Sequence, residues 1–340
     1  MTNERQMDSL RMDRVLLSFP DQILKGWELA QWAGRAARGC RRVVIAGMGG
    51  SALPGELLMG YLRQQCHSAL PVEVTRDYWL PPGMDAGTLV IAASFSGNTE
   101  ETLAAYGEAG ESGAQRVAVA AGGKLLDLAQ ADRVPSVRLP VPWAGFQPRC
   151  SLGYVFGALL RILDNAGLLP TDPAVLEQIA SFLRESQAQL QVEGQRLAGR
   201  LQDRIVLVYA PERFGAAVAR TFKIKLNENA KTLAFWNALP ELNHNEMIGF
   251  ESRGENLAVL LLEHPDCHPR IQRRCAILAE MLAARSVRVE RIALSGSSYL
   301  QSCFWGILLG DWTSYHLALL RGIDPSPVEL IEEFKRRLAM

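Results

Sequence analysis

Apolar and polar positions change their spacing in regular blocks along this chain. "FPDQILKGWELAQWAGRAA" places apolar residues at helical intervals and leads into "RRVVIAGMGGSALPGELLMGYLR". That second stretch reads as a short β-branched strand, a glycine turn and another helix. The order then repeats. "PVEVTRDY" predicts a strand, and "GTLVIAASFSGNTEETLAAYGEAG" predicts strand, polar loop and helix. "AQRVAVAAG" adds a strand, followed by a helix near "KLLDLAQ", a strand near "VPSVRLP" and a closing helix in "PRCSLGYVFGALLRILDNAG". Strands alternating with helices predict a parallel sheet covered on both faces.

"GLLPTDPAVLEQIASFLRESQAQL" is a turn and a connecting helix, with Thr171 or Asp172 as cap and Pro173 in its first turn. A second alternation follows through "DRIVLVYAPERFGAAVARTFKIKLNENAK", "NLAVLLLEHPD", "RIQRRCAILAEMLAARS" and "VRVERIAL", ending in the helix "SSYLQSCFWGILLGDWTSYHLALLRG". The two halves agree in element order rather than in letters. The expectation is an α/β chain of two doubly wound parallel-sheet domains, 1–165 and 196–340, joined by a linker helix over 166–195. A chain of 340 residues is long enough for two such cores.

Composition narrows the class. The 36 basic and 36 acidic residues cancel, which argues against a general nucleic-acid or anionic-membrane binder. The polar start "MTNERQMDSLRMDRV" has no apolar core of a secretory signal, and runs such as "CFWGILLG" are too short to span a bilayer. Cys40, Cys66, Cys150, Cys267, Cys275 and Cys303 lack CxxC spacing and read as buried apolar residues in a reducing compartment. Cytoplasm is the expected location.

The candidate chemistry sits in two kinds of loop. The first half has "GMGGSA" and "SFSGNTEET" at its strand ends, whereas the matching turn of the second half, "YAPERFG", is poor in glycine. In open α/β sheets ligands bind beyond the carboxyl ends of the strands, where helix N-termini offer free N–H groups and partial positive charge. Gly49 and Gly50 let backbone amides approach an anion closely, and the hydroxyls of Ser51, Ser94, Ser96 and Thr99 add neutral donors. A phosphate monoester can use all of them without a cation. The plainer alternative is that these hydroxyls only cap helices. A third reading takes Gly47, Gly49 and Ala52 as a dinucleotide fingerprint, but Glu73 and Asp77 are poorly placed to hold the ribose.

"KLNENAKTLAFWNALPELNHNEMIGF" is the densest polar stretch, with Glu228, Glu241, His244 and Glu246 among asparagines. Proton abstraction next to a carbonyl needs such a carboxylate or imidazole, positioned and partly desolvated. A solvated loop with an incidental histidine is the alternative. His264, Cys267 and His268 in "HPDCHP" lack a fourth ligand and read as a surface turn, and the helix carrying Lys335 reads as a solvated terminus. His67 and His316 read as structural.

The segments "FPDQ", "GMGGSA", "SFSGNTEET", "PRCSLGY", "NENAK", "PELNHNE" and "GIDPSPVELIEEFK" together resemble the bifunctional phosphoglucose/phosphomannose isomerase family, from about residue 15 to the end. "SFSGNT" alone marks only a sugar isomerase (SIS) domain; "PELNHNE" and "DPSPV" are narrower. The resemblance implies two flavodoxin-like SIS domains and an aldose–ketose isomerase of fructose, glucose and mannose 6-phosphates, with neither metal nor redox cofactor. It implies that Gly49, Gly50, Ser51, Ser94, Ser96 and Thr99 hold the phosphate and that Arg149 stabilises the charge of the intermediate. It further implies that Glu228 moves the proton, that His244 opens the sugar ring and that Lys335 assists. A homodimer with His244 supplied across the interface is expected. "GGSALPGELL" departs from the family pattern at Leu53 and Pro54, beyond the phosphate contacts. The competing readings are an isomerase of an amino-sugar or heptose phosphate and a non-enzymatic sugar-phosphate sensor.

Overall fold

The computed structural model describes residues 7–251, 254 and 256–338. Residues 1–6 of the polar start lie outside the described residues. The chain divides into two compact units. The first comprises Leu17–Glu185 with Ser298–Gln301; the second comprises Met1–Leu16, Ser186–Ser297 and Ser302–Met340. These cuts differ from the expected 1–165, 166–195 and 196–340. The connecting helix α6, Pro173–Leu201, contributes to both units instead of standing apart as a linker. The start of α1, Met12–Leu29, belongs to the second unit, where the Gln187 side chain donates to the Leu16 carbonyl at 3.1 Å.

The first unit is a five-stranded parallel sheet in the order β2-β1-β3-β4-β5. Its strands are β1 Arg42–Ala46, β2 Val72–Thr75, β3 Thr88–Ala93, β4 Gln115–Ala120 and β5 Ser136–Arg138. Helices α2 Gly49–Gln64, α3 Glu100–Glu111, α4 Gly123–Ala131 and α5 Leu152–Asn165 complete it. The burial pattern explains the order. β3 is buried at every position and lies centrally, while β5 is buried only at Val137 and forms an edge. A strand covered on both faces must be apolar throughout, whereas an edge strand need not be.

The second unit carries a four-stranded parallel sheet in the order β7-β6-β8-β9. Its strands are β6 Ile205–Pro211, β7 Ala234–Leu239, β8 Leu257–Glu263 and β9 Arg288–Ala293. Helices α7 Glu212–Glu228, α8 Pro269–Ala283, α9 Tyr299–Leu320 and α10 Glu329–Leu338 follow the same alternation. Each sheet reverses its strand order once, beside its first strand, which is the flavodoxin-type arrangement and puts the ligand crevice at that reversal. The element order read from the sequence is the observed one except for β7, which lies inside "KLNENAKTLAFWNALPELNHNEMIGF", a stretch that reads in sequence only as polar. Asp172 is the cap of α6, accepting from Ala174 N at 2.9 Å.

α9 is the apolar stretch that contains "CFWGILLG". It is buried along nearly its whole length, and no helix among the described residues is long and apolar enough to cross a membrane. All six cysteines are free, but Cys40 and Cys66 are only half-buried, unlike the other four.

Candidate active site

The hydroxyl loop of the first unit is built around Ser94, the residue that follows β3. Its backbone N–H continues the sheet by donating to Val119 O at 2.9 Å. Its side-chain oxygen lies 2.8 Å from Thr99 Oγ1 and 3.5 Å from Ser96 Oγ, and accepts from Gly97 N at 3.1 Å. Ser96 Oγ in turn accepts from Asn98 N at 3.3 Å. Thr99 stands at the N-cap of α3, yet its hydroxyl makes no capping bond and is turned to Ser94 instead. The simple capping explanation therefore fails for the residue best placed to be a cap. Gly97 has φ +69°, and a Cβ there would sit 1.8 Å from Gly122 O, so the loop closes only with glycine.

The second wall of this site is the start of α2. Met48 at its N-cap offers no side-chain cap, and the first turn holds no acidic residue. Gly49 and Gly50 begin the helix, and Ser51 Oγ accepts from Phe95 N at 3.2 Å, tying α2 to the hydroxyl loop. A Cβ on Gly50 would lie 2.9 Å from the Arg149 Cα, so this glycine is what lets the Pro148–Cys150 turn approach α2. Arg149 is buried, with Nη1 donating to Gln147 Oε1 at 3.0 Å. The first unit thus brings together Gly49, Gly50, Ser51, Ser94, Ser96, Thr99 and the Arg149 turn, at the crevice beyond the carboxyl ends of β1 and β3. The N-terminus of α2, with neither an acidic residue in its first turn nor a side-chain cap, next to clustered hydroxyls, forms a place for an anion; α3 begins instead with Glu100 and Glu101.

In the second unit Glu228 is the last residue of α7, half-buried in the wall of a cleft of about 770 Å³. Asn227, Lys231, Thr232 and Asp324 share that wall. The segment after Glu228 is held firmly: Asn227 Nδ2 donates to Thr232 O at 2.8 Å, and Lys231 Nζ donates to Asp324 O at 2.8 Å. Behind it, Lys225 and Asp311 form an ion pair at 2.8 Å with both side chains almost fully buried. Asn229 Nδ2 adds a buried bond to Ser314 Oγ at 3.0 Å. The last turn of α7 and its C-cap residue Asn229 are therefore held to α9, which fixes the backbone on either side of Glu228.

His244 and Lys335 belong to the same unit but do not line this cleft. His244 is exposed, at the end of a 3₁₀ turn Glu241–His244. Lys335 is exposed on α10 and pairs with Glu332 at 2.7 Å.

Three features escaped the sequence reading. The Lys225–Asp311 pair joins residues far apart in the chain, and only the burial of Lys225 on an apolar helix face reveals it. His264 is not on a surface turn: it is buried and stacks on Phe214 with ring centroids 4.7 Å apart. Burial depresses its pKa below the ordinary histidine value, with Asp266 acting in the opposite sense. Glu246, noticed as one carboxylate among several, accepts hydrogen bonds from Tyr209 and Asn237. No group of three or more His, Cys, Asp and Glu side chains suited to a metal occurs among the described residues.

Residues 190–338 match the family described as the bacterial phospho-glucose isomerase C-terminal SIS domain. A bifunctional phosphoglucose/phosphomannose isomerase from Caldicellulosiruptor bescii is 37% identical, with 96% of this chain and 99% of that protein covered. The chain belongs to the bifunctional phosphoglucose/phosphomannose isomerase family. A D-glucosamine-6-phosphate 4-epimerase from Sulfolobus acidocaldarius is also similar, at 33% identity over 87% of this chain and 89% of its own length. Among solved structures, tagatose-6-phosphate ketose/aldose isomerase from Escherichia coli superposes with a TM-score of 0.73 at 16% identity, covering 93% of this chain and 94% of that one. That likeness establishes a shared fold. Membership of the bifunctional phosphoglucose/phosphomannose isomerase family agrees with the resemblance carried by "PELNHNE" and "DPSPV".

Proposed function

We propose that this chain is an aldose–ketose isomerase that interconverts fructose 6-phosphate with glucose 6-phosphate and with mannose 6-phosphate. The observation that carries the reading is the relative of that name from Caldicellulosiruptor bescii, similar along essentially the whole chain.

The residues take the following roles. Gly49, Gly50, Ser51, Ser94, Ser96 and Thr99 bind the 6-phosphate, a remote handle whose binding energy orients the sugar. His244 opens the ring, so that the carbonyl is free. Glu228 removes the proton from C2 of the open aldose, giving a cis-enediol, and returns it to C1 to form the ketose. Arg149 stabilises negative charge developing on the oxygen, and Lys335 assists. Glucose and mannose 6-phosphates differ only at C2, so both give the same enediol. One carboxylate suffices, and the chemistry calls for neither a metal nor a redox cofactor.

The same reading makes the protein a homodimer, with His244 contributed to the partner's site. Its support is the apolar surface near the Glu228 cleft. Leu233 and Phe235 are mostly exposed, and α10 has no buried residue although Leu330, Phe334 and Leu338 share one of its faces. A second copy covering that surface would remove a large apolar area from water. The reading places the enzyme in the cytoplasm, where phosphorylated hexoses are confined by their charge.

The 4-epimerase among the relatives favours one competing reading, an amino-sugar phosphate as substrate. Coupled assays with glucose 6-phosphate, mannose 6-phosphate and glucosamine 6-phosphate separate the two. Turnover of the first two supports the proposal. Turnover of glucosamine 6-phosphate alone replaces it, and silence with all three points to a sensor.

A further inference from the structure

The loop that carries His244 runs between β7 and β8 as two 3₁₀ turns, Glu241–His244 and Glu246–Glu251. Its ends are anchored by apolar packing. Leu242 and Phe250 are buried in one cluster with Tyr209 and Leu239, and the Tyr209 and Phe250 rings meet edge to face at 6.5 Å. Between those anchors Asn243–Glu246 is polar, Met247 packs against the same cluster, and a 3₁₀ turn with poor hydrogen-bond geometry holds little shape by itself.

What holds the middle is Glu246, two residues after the histidine. One carboxylate oxygen accepts from the Tyr209 phenol on β6, and the other accepts from the Asn237 amide on β7. The donors come from adjacent strands, so the carboxylate is clamped to the rigid sheet and not to another loop. Both donors are themselves fixed. Tyr209 is fully buried, and Asn237 Oδ1 accepts from Ala238 N at 2.8 Å, which orients its amide. Burial and the neighbouring Glu246 carboxylate push the Tyr209 phenol well above its ordinary pKa, so it remains a donor. Three further bonds tie the polar residues on the N-terminal side of this clamp. Glu246 N donates to Asn245 Oδ1 at 2.6 Å, Asn245 Nδ2 donates to Glu241 Oε1 at 2.7 Å, and Arg274 Nη1 donates to Asn243 Oδ1 at 3.2 Å. Bonds to an ionised carboxylate are about twice as strong as neutral ones, which suits it for the pivot.

We propose that Glu246 is a positioning residue for His244: clamped by Tyr209 and Asn237 to β6 and β7, it holds the histidine in the pose needed for ring opening. The inference rests on the reading that His244 opens the sugar ring. It goes further in assigning to Glu246 a task confined to that step, without effect on the proton shuttle of Glu228.

The test separates the two steps by substrate. Hexose 6-phosphates must be opened before they react. A tetrose 4-phosphate has its only ring-closing hydroxyl esterified, so it presents an open carbonyl and needs no ring opening. Glu246→Gln keeps the size of the side chain and loses the charge; Tyr209→Phe removes one donor and leaves the ring packing. Turnover of fructose 6-phosphate and solvent deuterium exchange at C2 of erythrose 4-phosphate are measured for both variants, for His244→Ala and for His244→Ala/Glu246→Gln. Misplacing a catalytic group by about 1 Å can cost on the order of 10²-fold. The expected result is a fall of roughly tenfold or more in kcat for fructose 6-phosphate with Glu246→Gln. A smaller fall in the same sense is expected with Tyr209→Phe. KM should stay nearly constant, exchange of the tetrose should be intact, and the double variant should be no worse than His244→Ala. The proposal is overturned if Glu246→Gln slows tetrose exchange as much as hexose turnover, if it leaves hexose turnover unchanged, or if the double variant shows additive losses. If His244→Ala itself spares hexose turnover, the underlying assignment of His244 falls and this inference with it.

Discussion

The two sheets share the order of their first four strands and have opposite chemistry at equivalent turns. After the first strand of each comes a helix, and the third residue of that helix is Ser51 in α2 and Phe214 in α7. The residue directly after the third strand is Ser94 in one half and His264 in the other. In the first half the two positions supply hydroxyls to a hydrogen-bonded loop. In the second they supply two stacked rings, and Glu212 places an acidic group in the first turn of α7. An acidic residue there offsets the positive end of the helix that an anion would use. The second half has put its candidate chemistry at the other end of the same helix, at Glu228. The fold thus offers an anion crevice twice, and the residues of the turn decide whether it is kept.

The largest effect should follow from Glu228→Gln, which attacks this division of labour. General acid–base groups contribute about 10²–10⁴-fold, so kcat should fall by that range while a hexose 6-phosphate still binds, as read by titration calorimetry. Retained turnover would show that Glu228 is not the base. A smaller effect is expected from Gly50→Ala in the first half. Its Cβ would press on the Arg149 backbone, whereas Gly215→Ala, in the first turns of α7, would meet Ala210 Cβ at 2.7 Å, in the unit that carries none of the proposed phosphate contacts. Gly50→Ala should raise KM for both hexose phosphates roughly tenfold, on the scale expected for a displaced binding group. Gly215→Ala should lower the melting temperature and leave KM alone. Equal effects on KM would mean that the halves are not divided as described.

The alternation of strands and helices was legible because parallel strands buried on both faces leave near-continuous apolar runs, as in "TLVIAA" and "LAVLLLE". The turn "GMGGSA" was legible because glycine at a strand end carries a specific steric meaning. What could not be read is pairing at a distance. Thr99 looks the same in sequence whether it caps α3 or bonds Ser94. Lys225 looks like one more cation on an amphipathic helix until Asp311 is found beside it. Glu246 was visible as a carboxylate near His244, but its clamps on β6 and β7 come from strands whose neighbours the sequence does not name. The unit boundaries were hidden for a related reason: α6 is a continuous helix, and nothing in its letters marks Glu185 as the place where one core ends.

The smallest effect tests the Phe214–His264 stack, the feature that distinguishes the second crevice from the first. Burial lowers the His264 pKa, so the folded protein resists protonating a ring that the unfolded chain protonates near the ordinary value of about 6.5. Below that value the unfolded state binds more protons, and stability falls as pH drops toward the folded pKa. Above it the contribution is complete. His264→Phe keeps a ring against Phe214 and removes the titration. The wild type should therefore lose melting temperature more steeply than the variant as pH is lowered from 7 to 5. The difference in slope is bounded by one proton, about 1.4 kcal/mol per pH unit. Parallel curves would show a histidine that titrates freely in the folded state. The second crevice would then be open to solvent, and the contrast between the halves would rest on Glu212 alone.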